Sequence, residues 1–97
     1  MEKRDYFIIL YDFYSSLFND KQKEYFEDYY FNNLSLAEIS ENVGISRNAI
    51  HKSIKLTEEK LLFYEKNLAL YEKNVMLNEI IGKVKDKYLR EELERLL

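Results

Sequence analysis

Between Ser46 and Leu56 the chain carries Arg47, Lys52, Lys55, Asn48 and its only histidine, His51, with no acidic residue among them. These side chains donate hydrogen bonds to phosphate oxygens and to base edges. Asn48 is the candidate base reader, because a carboxamide pairs bidentately with adenine. Arg47 suits guanine or a phosphate, and Lys52 and Lys55 suit phosphates. The chemistry in view is non-covalent recognition of DNA. A plainer reading is a helical hairpin whose solvated face happens to carry a few bases.

Other chemistries find little support. His51 has no cysteine and no second histidine to share a metal with. The only glycines are Gly44 and Gly82, too far apart for a phosphate-cradling loop. Carboxylates sit at helical spacing from basic residues, as Glu91 does from Arg95, which is the pattern of surface salt bridges. No acid–base pair is singled out. No enzyme, cofactor, metal or small-molecule substrate is therefore expected.

A recognition face of this kind needs a capped helix, a tight corner and a second helix held by apolar anchors. Ser35 and Glu38 form an S-x-x-E capping box, with Leu36, Ile39 and Val43 on one face of the helix that follows. Ile39 supplies an apolar residue mid-helix, and Ser40 a small residue where two helices approach. Gly44 can adopt a positive φ and end the helix. Ile45 is expected to plug the corner and Ser46 to cap the next helix. Ile45, Ala49 and Ile50 would anchor that helix to the core. The motif thus occupies residues 35–55 of a helix-turn-helix domain over residues 1–60.

Upstream, Asp5 to Phe18 is nearly all apolar or aromatic and reads as a buried first helix. Asn19 and Gln22 form a second capping box. Tyr25, Phe26, Tyr29 and Tyr30 follow at helical spacing, expected as core rather than as a base-stacking platform. Asn32 and Asn33 tolerate a left-handed turn.

Downstream, Ile50, Ile54, Thr57, Leu61, Tyr64, Leu68, Tyr71 and Val75 alternate in steps of four and three, a heptad repeat. The expectation is one helix from Ser46 to about Lys73, with a break at Asn74, in a continuous helical arm over residues 46–97. Val75 to Lys87 and Tyr88 to Leu97 read as one or two further helices. Leu61, Tyr64, Leu68, Tyr71 and Val75 form a candidate seam for a homodimer or higher oligomer.

The balance of charge is uneven. Residues 1–45 hold four Lys/Arg against nine Asp/Glu, and residues 46–97 hold eleven against nine, for a net charge of −3 over 97 residues. That argues against a general nucleic-acid coat protein, which is usually basic. With no proline and no cysteine, continuous helices meet few breakers and disulfides are absent. No run reaches the roughly 20 apolar residues that span a bilayer, and nothing resembles a signal peptide, so no membrane partner and a cytoplasmic location are expected.

The stretch "LFNDKQKEYFEDYYFNNLSLAEISENVGISRNAIHKSIKLTEEKL" resembles the region-4 domain of bacterial sigma factors. Residues 6–75 more closely resemble the YlxM-like (UPF0122) family of small bacterial helix-turn-helix proteins, the Tyr-rich second helix and "LSLAEI…GISR" being the most specific parts. The resemblance implies an all-α fold: a sigma-region-4-like helix-turn-helix, an N-terminal aromatic helix and a long C-terminal helical arm. It implies a regulatory role near the signal recognition particle, through DNA or through the particle's GTPase or RNA. It also places Arg47, Asn48, His51, Lys52 and Lys55 at recognition-helix positions. Leu56 departs from the family pattern, standing where relatives tend to carry a base.

Overall fold

The computed structural model describes residues 1–97, and the fold is all-α. The helices are α1 (Lys3–Tyr14), α2 (Asp20–Tyr30), α3 (Leu36–Val43), α4 (Arg47–Leu68), α5 (Leu70–Gly82) and α6 (Lys87–Glu94), with a 3-10 turn at Ser15–Leu17 after α1. No helix is long and apolar enough to cross a membrane.

Local chemistry sets the helix starts. Asn19 accepts from the Gln22 amide while the Gln22 side chain accepts from the Asn19 amide, which closes the box before α2. Ser35 and Glu38 do the same before α3. Ser46 accepts from the Ala49 amide and Asp86 from the Leu89 amide, capping α4 and α6. Each such cap is worth about 1 kcal/mol. The chain leaves α2 through Asn33, whose φ of 54° lies in the left-handed region that asparagine tolerates.

α1, α2 and α3 all pack against α4. One core of buried residues runs from Phe7 to Leu61, taking Leu10, Tyr14 and Phe26 from the first two helices and Ile39, Ile50 and Ile54 from the motif. Its centre is aromatic. Phe26 stacks between Tyr11 and Tyr30, with ring centroids 4.3 Å away on each side. The apolar first helix is thus covered by α4 and α5, and its Phe7 and Tyr11 rings pack on Tyr30 and Phe26 of α2. Tyr25, Phe26 and Tyr30 are buried and Tyr29 is half-buried, so α2's aromatics serve the core.

The C-terminal half departs from the periodic reading. The long helix ends at Leu68 rather than near Lys73, and Asn74 lies inside α5, where the Asn78 side chain donates to its carbonyl. The break is at Ala69, which is left-handed at φ 52°. No continuous rod therefore runs through residues 46–97. The heptad continues past Ala69, but on a separate helix.

The proposed seam divides accordingly. Leu61 is fully buried in the protomer's own core, so no second copy can reach it. Tyr64 and Tyr71 are half-buried against the same core, Tyr71 beside Tyr6 and Phe13. Only Leu68 and Val75, 45% and 40% exposed, remain at the surface. Thr57, the polar position in the repeat, is buried, and its hydroxyl donates to the Ser53 carbonyl. Arg95 makes no ion pair with Glu91; the one ion pair in the chain joins Lys55 to Glu58.

Candidate nucleic-acid interface

The corner between α3 and α4 is built from three residues. Gly44 is left-handed at φ 76°, and its amide donates to the Ser40 carbonyl to end α3. The Ser40 hydroxyl reaches across the turn and donates to the Ile45 carbonyl at 2.5 Å. Ser46 then starts α4. Behind the corner, Ile39 and Ile50 are fully buried and hold the two helices together. Two expected anchors do not serve. Ile45 is 39% exposed and does not plug the corner, and Ala49 also faces solvent. The turn is held by backbone and hydroxyl bonds, so it needs no apolar plug, and Ile50 and Ile54 are the buried residues of α4's first turns.

That rotation of α4 decides what faces outward. Arg47, Asn48, His51, Lys52 and Lys55 are all exposed on its first three turns. Arg47 and Lys52 meet none of the protein's own carboxylates within ion-pair distance. Lys55 lies 3.9 Å from Glu58. Glu58 is largely covered, and it also accepts a 2.5 Å hydrogen bond from Tyr30. Burial, and then this bond to a carboxylate, push the Tyr30 phenol well above its ordinary range, so it stays a donor. The acid nearest the basic face is therefore engaged from both sides.

Two further cations adjoin this face, and sequence reasoning did not single them out. Lys3 and Arg4, at the start of α1, line a shallow cavity of about 230 Å³ together with Lys55. Nothing local in the sequence marks them, because only the packing of α1 on α4 brings them there. No group of three or more His, Cys, Asp or Glu side chains converges as a metal site would require.

The family model for helix-turn-helix proteins described as YlxM / p13 like, UPF0122, matches residues 1–97. A UPF0122 protein of Streptococcus pneumoniae is 39% identical over 99% of this chain and 92% of its own length. One from Malacoplasma penetrans is 42% identical over 88% of this chain and 79% of its own. One from Caldanaerobacter subterraneus is 44% identical over 80% and 67%.

Proposed function

The chain belongs to the UPF0122 family of YlxM/p13-like helix-turn-helix proteins, and on that footing we propose that it is a DNA-binding regulator rather than an enzyme. The first turns of α4 enter the major groove. Asn48 reads a base edge, Arg47 reads guanine or anchors a phosphate, and His51, Lys52 and Lys55 hold the backbone. The observation that carries this reading is the outward display of those five side chains, with Arg47 and Lys52 unengaged by any carboxylate, behind a corner rigidified by Gly44 and Ser40. With so few cations on a protein of net charge −3, affinity is modest and falls steeply with salt.

The test is a titration against mixed-sequence duplex DNA at two salt concentrations, with Arg47→Glu plus Lys52→Glu as the control. Binding by the native chain that the double variant loses, while remaining folded, supports the reading. Binding that survives both substitutions places the interface elsewhere.

A second reading has its own observation. Leu62, Val75 and Met76 are exposed beside a groove of about 540 Å³ formed with Tyr6 and Tyr71. Such a surface fits a protein partner or a second copy of the chain, the latter matching the two-fold habit of helix-turn-helix proteins. Under this reading the protein is a cytoplasmic accessory factor of the signal recognition particle that contacts its GTPase or RNA without reading DNA. Capture of either component by the Arg47/Lys52 double variant favours it.

A further inference from the structure

The cavity between the start of α1 and the third turn of α4 gathers Lys3, Arg4 and Lys55 around a single carboxylate, Glu58. That carboxylate already accepts from Tyr30 and faces Lys55, and only 13% of its side chain is exposed. The cavity mouth is therefore cationic in a protein that is acidic overall.

Arg4 is held rigidly. Its Nη2 donates to the Tyr29 carbonyl at 3.2 Å, the Tyr30 carbonyl at 2.8 Å and the Asn33 side chain at 2.9 Å. The guanidinium lies 4.9 Å from the centre of the Tyr30 ring. All its bonds run through Nη2, so Nε and Nη1 remain as donors. A guanidinium already fixed loses little freedom on taking an anion. Lys3 Nζ sits 5.7 Å from the centre of the Phe7 ring and makes no ion pair.

Resting on the DNA-binding reading above, we propose that Lys3, Arg4 and Lys55 form a seat for one phosphodiester of the nucleic-acid backbone, flanking the α4 face. The cavity, at about 230 Å³, falls below the roughly 300–1,000 Å³ of small-molecule pockets, and its charge suits a small anion. The nucleic-acid backbone is favoured as its source by continuity. Lys55 belongs both to the cavity and to the α4 face, and Lys52 lies three residues back, about 4.5 Å along the helix. Lys3 lines the same cavity as Lys55. The seat adds affinity without sequence preference, because phosphates carry no base information.

Lys3→Gln tests this best, since Arg4 also ties down the end of α2. Duplex DNA affinity is measured across a salt series for the native chain, Lys3→Gln, Arg47→Gln and Lys87→Gln. Lys87 is an exposed control on α6, away from the motif. The expected result is a uniform weakening across DNA sequences by Lys3→Gln, with a salt slope smaller by about 1, and no change for Lys87→Gln. Equal losses from Lys3→Gln and Lys87→Gln reduce the effect to net charge and overturn the proposal. An unaltered slope for Lys3→Gln, with binding lost for Arg47→Gln, overturns the seat and leaves the α4 reading standing. Absence of any DNA binding by the native chain at low salt overturns both. Inorganic phosphate titrated by NMR is the remaining arm. Phosphate-induced shifts at Lys3 and Arg4 with an unchanged DNA slope make this a free-anion site and overturn the backbone assignment.

Discussion

Tyr14 of α1 and Glu65 of α4, 51 residues apart, share a 2.7 Å hydrogen bond and together cap the start of α5. The Tyr14 hydroxyl donates to Glu65 and accepts from the Leu70 amide at 3.0 Å. The Glu65 carboxylate accepts from the amides of Tyr71 and Glu72, each at 3.1 Å. Ala69 offers no side-chain cap, so these two residues satisfy the first three free amides of the new helix, and the negative charge sits at its positive end. The bend after α4 is a tertiary device.

Glu65→Ala removes the carboxylate half of that cap and leaves the Tyr14 O–H without its acceptor. The expected loss is about 1–3 kcal/mol, and it is concentrated in the arm. Hydrogen exchange accelerates in α5 while α2 and α3 keep their protection. Tyr14→Phe gives a smaller loss, and the double variant loses less than the two singles combined, because both act on one network. Additive losses would show that the pair is not coupled.

Ala69→Gly separates a bent chain from a straight one. In a helix interior, glycine costs about 1 kcal/mol relative to alanine. At φ 52° it relieves a left-handed strain of similar size instead, so thermal stability holds or rises. A clear destabilisation by this substitution means that α4 continues through Ala69.

Gly44→Ala has the opposite sign. A Cβ at Gly44 meets nothing within 4 Å, so its cost is the φ of 76° alone, about 1 kcal/mol. Gly44→Asn costs less, since asparagine tolerates this region. Equal, large losses from both would point to crowding rather than backbone strain. Under the proposed DNA-binding function, affinity declines with either as the corner loosens.

Stability falls at alkaline pH. Burial, and then hydrogen bonds to Glu27, Glu65 and Glu58, raise the phenols of Tyr11, Tyr14 and Tyr30, with Tyr14 pushed up to about 12. An unfolded tyrosine ionises near 10. The folded values lie higher, so their contribution is complete below pH of about 10 and is lost as pH rises through the folded values. Urea midpoints therefore hold steady to about pH 10 and decline above it, with phenolate absorbance rising late and together with unfolding. Tyr14→Phe makes the decline shallower. A midpoint unchanged up to about pH 12 contradicts the burial of these hydroxyls.

Substitutions on the heptad face sort core from surface. Leu61→Lys places a charge in the fully buried core and is expected to unfold the protein rather than to dissociate an oligomer. Val75→Lys with Met76→Lys alters only exposed positions and leaves the fold intact. Light scattering on the latter pair tests self-association. A mass that is multimeric in the native chain and halves in this variant assigns the α5 surface to the interface.

The starts and stops that rest on neighbouring residues were legible in the chain itself. Asn19 with Gln22, Ser35 with Glu38, and Gly44 each act within four positions, and such contacts follow from spacing alone. The five polar residues of α4 share one face for the same reason, by helical period. Three things were not legible. The bend at Ala69 contradicts both alanine's helix preference and an unbroken heptad; it exists because a tyrosine and a glutamate 51 positions apart meet there and cap a second helix. The exposure of Ile45 and Ala49 depends on the rotation that the Ser40 hydroxyl and the Ile50 anchor impose on α4. The nearness of Lys3 and Arg4 to Lys55 depends on α1 packing across α4. Local hydrogen bonds and periodicity are written in consecutive residues, whereas the direction of a helix after a corner is decided by which distant side chains the core brings within bonding distance.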